Sequence, residues 1–129
     1  MATTRLTGPP VPLALPLTPG DARRKLQGML AGTRWCRNAD SVVLAVHEAL
    51  TNADRHGGGA VRAQASIDRG ALVVAVWDRG TGFELPAADP DDPFAEHGRG
   101  LCLIRRIASR VEAGREGSGF CLRLWFDPQ

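Results

Sequence analysis

Apolar positions along the chain follow two periods. From Asn38 or Asp40 to His56 the residues Val42, Val46, Ala49, Leu50 and Ala53 recur at helical spacing and gather on one side, with Ser41, Glu48, Asn52 and Arg55 on the other. That pattern predicts a long amphipathic helix, closed by Gly57-Gly58-Gly59. A shorter helix is predicted before it. It opens at Thr18-Pro19-Gly20-Asp21, runs through Ala22, Leu26, Met29 and Leu30, and stops near Gly32. The period then changes to two. Val61, Ala63, Ala65 and Ile67 alternate with Arg62, Gln64 and Ser66, predicting a strand over 60–68 with one buried and one wet face. After the tight Arg69-Gly70 turn, Ala71 to Trp77 is apolar throughout and reads as a central strand ending at Asp78.

The flanks are less regular. Val11 to Leu17 is apolar but interrupted by Pro12 and Pro16, which suits an edge strand. Residues 1–10, with Gly8-Pro9-Pro10, are expected to fray. Phe83 to His97 is rich in Pro and Asp and shows no usable period. A third helix is predicted from about Gly100 to Arg110, and a last hairpin pairs Val111–Ala113 with Gly119–Phe126. With no repeat and no linker, residues 1–129 read as one domain. The expected fold class is an α/β (α+β) two-layer sandwich, its sheet mixed but mostly antiparallel, with helices on one face.

Composition narrows the function classes. The 129 residues are 43% hydrophobic and 23% charged, which are globular values. The net charge of +2 gives no argument for nucleic acid or an anionic membrane. No apolar run approaches the ~20 residues of a membrane span, and Val11–Leu17 is no signal-peptide core, so a cytoplasmic location is expected. Lys25 is the only lysine, and it lies in Arg-Arg-Lys-Leu-Gln. A Walker-A loop, which needs Lys after a glycine run, is therefore excluded. Cys36, Cys102 and Cys121 are widely spaced and odd in number, and are expected to be small, reduced core residues.

Three places carry candidate chemistry. Glu48 and Asn52, four residues apart, leave one helix face one turn apart, though any amphipathic helix has a polar side. Asp78-Arg79-Gly80-Thr81-Gly82-Phe83 sets an acid at the end of a buried strand before two spaced glycines; this suits close backbone approach to a flat ligand, or a plain turn. His97-Gly98-Arg99-Gly100-Leu101 opens a helix whose free N–H groups favour an anion, or serves as a hinge.

In this order and spacing the three resemble the boxes of the GHKL (Bergerat-fold) ATP-binding family. The first box matches Glu48 to Gly57, the second Asp78 to Phe83, and the third Gly98-Arg99-Gly100-Leu101, continuing through Cys102-Leu103-Ile104-Arg105-Arg106. Within that family the N-A-x-x-H-G ending and the G-R-G-L-x-L-I-R-R run look most like bacterial anti-sigma-factor serine/threonine kinases. The resemblance implies ATP and Mg²⁺ as cofactors. Asn52 would be the protein ligand to Mg²⁺, and Glu48 the base that orients and deprotonates the attacking hydroxyl. Asp78 would accept the adenine amino proton while Gly80 and Gly82 pass under the base. Gly98, Arg99, Gly100 and Leu101 would form the phosphate-binding helix start. Residues 84–97, with five acids, would be the ATP lid.

The implied function is transfer of the γ-phosphate to a serine of an anti-sigma-factor antagonist, combined with sequestration of a sigma factor. The implied partners are that antagonist and/or the sigma factor, with a homodimer left open, and with no direct nucleic acid and no membrane. The alternative is a non-catalytic regulator that uses ATP as a binding switch; such a protein needs Asn52 and Asp78 but not Glu48. A sensor histidine kinase is not expected, since 129 residues leave no room upstream for its dimerisation helix.

Overall fold

The computed structural model describes residues 10–13, 19–80 and 99–128. Its centre is a five-stranded sheet in the order β1-β2-β3-β5-β4: β1 Val11–Pro12, β2 Ala60–Asp68, β3 Ala71–Asp78, β4 Arg110–Glu116 and β5 Gly119–Phe126. The apolar run is the central strand, as its composition demands. All four ladders are antiparallel, so the mixed sheet expected from the sequence is antiparallel throughout its described strands. Two-residue turns set the register of both hairpins. Arg69 and Gly70 take φ of 52° and 83°, the left-handed pair that matches strand twist, and Gly117 takes 61° at the other tip.

Three helices cover one face: α1 Pro19–Leu30, α2 Ala39–Gly57 and α3 Arg99–Ile107. The core lies between them and the sheet. Val42, Val46 and Ala49 of α2, Leu26 and Leu30 of α1 and Ile104 of α3 meet Leu72, Val74 and Val76 of β3 and Leu122, Leu124 and Phe126 of β5. Each fully buried aliphatic side chain here contributes about 1.5–3 kcal/mol. The 3-10 turn Cys36–Asn38 joins α1 to α2, and beside it the indole N–H of Trp35 donates to the Phe126 carbonyl at 2.9 Å. That bond ties the α1–α2 connection to the last strand.

Among the described residues no helix covers the opposite face of β3, yet Val73, Ala75 and Trp77 are buried. Arginine supplies the cover. The Arg62 guanidinium stacks 3.8 Å from the Trp77 ring centre, Arg123 lies 5.6 Å from it, and Arg110 sits 4.8 Å from Trp125.

Several expectations are corrected. Val61 is 48% exposed, because the β2–β3 register shifts between Ala60 and Arg62 and takes it out of the alternation. The third helix ends at Ile107, short of Arg110. Ser109 is captured by β5: its N–H donates to the Trp125 carbonyl at 2.7 Å, and its hydroxyl accepts from the Asp127 N–H at 2.8 Å. Strand pairing therefore starts early, and β4 runs to Glu116 instead of Ala113. The three cysteines are free, but only Cys121 is a core residue; Cys36 is exposed and Cys102 half-buried. The fraying expected of 1–10 and the strand beyond Leu13 fall on residues outside those described, apart from Pro10.

Candidate functional site

The site is assembled at one end of the sheet. α2 ends at Gly57, Gly58 takes the left-handed φ of 72°, and the Gly59 N–H closes back on the Ala53 carbonyl at 2.9 Å. The next residue, Ala60, opens β2 and stands opposite Asp78, the last residue of β3. The turns of α2 that carry Glu48 and Asn52 therefore lead, through three glycines, into the strand pair that ends at Asp78. From Asn52 to Gly57 the rise is only about 7.5 Å.

Asp78 is buried, 6% exposed. Strand alternation puts it on the face of Leu72, Val74 and Val76, which is the helix side where α2 packs. Its Oδ1 accepts the Gly80 N–H at 2.7 Å. This bond turns the chain sharply as it leaves the strand and fixes the carboxylate. Gly119 backs the same point: a Cβ there would collide with the Asp78 carbonyl oxygen.

Asn52 differs from its expectation. It was placed on the wet side of the helix, but only 8% of it is exposed. At helical spacing it lies at the border of the apolar arc, beside Ala45 and Ala49, whose small side chains let neighbouring elements close over that flank; α3 packs against α2. Among the described residues its buried Nδ2 has no hydrogen-bond partner. Ser41 and Arg55, on the same stripe, are exposed as expected, and Glu48 is half-buried. Asp54, where the resembling family usually carries an apolar or aromatic residue, is exposed, so water solvates its charge.

The third group starts α3. Gly100 lies in its first turn and Leu101 is buried in the core with Ile104 and Ala108. The nine-residue helix is tied at its C-terminal side through Ser109 to Trp125, which leaves its first turn about 12 Å away along the axis. Arg99 opens the helix as expected. Gly82, Gly98 and the lid at 84–97 lie outside the described residues, as does the His56 side chain.

The site's fit to a metal can be judged from its donors. Among the described residues no group of three His, Cys, Asp or Glu side chains could hold a metal ion. Asn52 suits an ion that keeps most of its shell as water and phosphate oxygen, since its amide, turned about Cβ–Cγ, presents either Oδ1 to a cation or Nδ2 to an acceptor. Sequence reading missed one feature of α2. Leu44 interrupts the polar stripe between Ser41 and Glu48, and it is 43% exposed. The signal was present in the sequence as an apolar residue on a polar face.

Among the described residues no helix is long and apolar enough to cross a membrane. No curated protein sequence matches the chain. Among solved structures the fold is similar to that of the Acinetobacter baumannii histidine kinase AdeS, with a TM-score of 0.50 at 14% identity. The match covers 85% of this chain and 64% of that one, so the present chain spans less than two-thirds of that protein's length. The family model described as "Histidine kinase-like ATPase domain" matches residues 16–126. That span takes in α2 with Glu48 and Asn52, the Asp78 turn and the start of α3, and the chain belongs to this GHKL-type ATPase family.

Proposed function

We propose that this chain is an ATP-dependent protein serine kinase of the anti-sigma-factor type. It transfers the γ-phosphate of ATP to a serine of an antagonist protein, and it sequesters a sigma factor in the cytoplasm. The observation that carries the reading is the pairing on α2 of a half-buried carboxylate, Glu48, with a buried amide, Asn52, whose Nδ2 lacks a partner among the described residues. A pure nucleotide switch needs the amide but not the acid.

Each residue then has one task. The Asp78 carboxylate, oriented by the Gly80 N–H, accepts from the adenine amino group. Gly80 and Gly82 let the backbone pass close to the base. Asn52 holds Mg²⁺, which when bound screens the charge on the phosphates. Gly98, Arg99, Gly100 and Leu101 form the helix start that donates N–H groups to the phosphate oxygens. Glu48 takes the proton from the serine hydroxyl as its oxygen bonds to the γ-phosphorus. The bond from that phosphorus to the β–γ bridging oxygen breaks, and ADP leaves with the bond's electron pair.

The test pairs ATP titration, with and without Mg²⁺, with a transfer assay on candidate antagonist proteins. Glu48→Ala should still bind ATP while transfer falls by roughly 10²–10⁴-fold, the usual worth of a positioned base. Asn52→Ala should lose the Mg²⁺-dependent part of ATP affinity. Equal loss of binding in both variants would remove the division of labour, and undiminished transfer in Glu48→Ala would remove the base. Absence of transfer by the wild-type protein would overturn the kinase reading in favour of an ATP-switched binding regulator.

A further inference from the structure

α3 carries Arg99 and Gly100 of the third box in its first turn, and its other end is held by one residue. Ser109 lies two positions beyond Ile107, the last helical residue, and one before the start of β4. It makes three hydrogen bonds to the end of β5. Its N–H donates to the Trp125 carbonyl at 2.7 Å, its hydroxyl donates to the same oxygen at 3.1 Å, and the hydroxyl accepts the Asp127 N–H at 2.8 Å. The hydroxyl is thus donor and acceptor at once.

Packing gives no reason for a hydroxyl at this position. Ser109 is exposed, and the core residues of this segment are Leu101, Ile104 and Ala108, where α3 packs on α2. Apolar contact resists separation of the two helices, but it is non-directional and leaves a helix free to roll or tilt. Hydrogen bonds depend on angle and restrain both motions. Nor is α3 closed as α2 is, by a left-handed residue such as Gly58 at φ 72°; none of residues 107–110 has a positive φ. The end of α3 is defined by where Ser109 meets β5.

We propose that Ser109 is a positioning residue for phosphate binding. By holding the C-terminal end of α3 to β5, its hydroxyl sets where the first turn, with Arg99 and Gly100, meets the nucleotide phosphates. This role rests on the proposed phosphate-binding start of α3 and adds the residue that aims it. The leverage comes from length. Nine residues put the first turn about 12 Å from the anchor, so a tilt of about 5° moves it by about 1 Å. Misplacement on the order of 1 Å can cost about 100-fold at a site that depends on geometry. Asp78 lies on β3, outside the tilting helix, so the adenine end of the site keeps its contact.

The experiment is calorimetric titration of the full chain with ATP in the presence of Mg²⁺, and separately with adenosine, which has the base but no phosphate. Ser109→Ala should weaken ATP by at least about threefold while adenosine affinity stays unchanged. Ser109→Thr keeps the hydroxyl and should restore ATP binding. Asp127→Pro deletes the N–H on the other side of the node without altering α3, and should act in the same direction. Trp35→Phe is the control: it removes a different hydrogen bond to the end of β5, at Phe126, and should lower Tm while leaving the ratio of ATP to adenosine affinity at its wild-type value. Circular dichroism melting checks that each variant is folded at the titration temperature. An unchanged ratio in both Ser109→Ala and Asp127→Pro would overturn the proposal. So would an equal shift in Trp35→Phe, which would make lost stability the cause. Equal affinity of the wild-type chain for ATP and adenosine would overturn the phosphate role of α3 and the proposal with it, a result told apart from the others because it needs no substitution.

Discussion

Gly119→Ala tests the packing that supports the site. The added Cβ would fall closer to the Asp78 carbonyl oxygen than the 3.0 Å that Cβ atoms essentially never breach, with the Asp78 carbonyl carbon at 3.4 Å and the Arg79 Cα at 3.7 Å. Every neighbour is backbone, so no side chain can swing aside. The end of β3 and the start of β5 must separate until the contact returns toward the ordinary 3.4–4 Å. Overpacking of this kind costs about 1–3 kcal/mol. At about 4 °C per kcal/mol for a domain of this size, Tm should fall by about 4–12 °C. The displaced carbonyl belongs to the residue whose carboxylate holds the Gly80 N–H, so ATP titration of the variant should also show weaker binding. Gly114→Ala on β4 is the control, since a Cβ there meets nothing within 4 Å. Thermal melting by circular dichroism reads both. A Gly119→Ala protein that melts with the wild type would refute the argued collision.

Other perturbations follow from the same structure. Gly28 sits within α1 with open space around its Cβ position, so Gly28→Ala should stabilise by about 0.5–1 kcal/mol, read as a rise in Tm. Trp35→Phe removes the donor to the Phe126 carbonyl and should cost about 1–3 kcal/mol in urea unfolding. The Cys121 thiol is pushed up to about 12, first by burial and then by its hydrogen bond with Glu116, so iodoacetamide at pH 8 should modify exposed Cys36 while sparing Cys121. Because folding raises that pKa above its ordinary 9.0, the stability Cys121 contributes is full below pH 9 and declines as pH rises toward 12. A Cys121→Ala protein should accordingly show a flatter loss of Tm over that range.

Elements set by local period and turn chemistry were legible in the sequence. β2 and β3 begin and end where alternation, the apolar run and Arg69-Gly70 place them. What failed depended on partners distant in the chain. The Val61 exposure is a register event, which needs the neighbouring strand to exist. α3 ends early because Ser109 pairs with a residue sixteen positions later. Cys36 was expected in the core, but it lies in a 3-10 turn that no periodicity foretold. The family was legible from residue type and spacing in the three boxes. The burial of Asn52 was not, because a helical wheel shows a residue's angle on its own helix and not what packs against that flank.

The two buried polar side chains among the described residues are Asn52 and Asp78, and both belong to the boxes. Their costs are met differently. Asp78 is compensated locally, since the turn it starts returns the Gly80 N–H to its oxygen. Among the described residues the Asn52 Nδ2 has no such partner, and an unmet buried donor costs about 1–3 kcal/mol. An apolar residue at that border position would suit the packing beside Ala45 and Ala49 better, so stability gives no reason for the amide. A bound group that supplies the missing partner does. On α2, then, the buried Nδ2 of Asn52 is the group that the proposed nucleotide and its ion would complete.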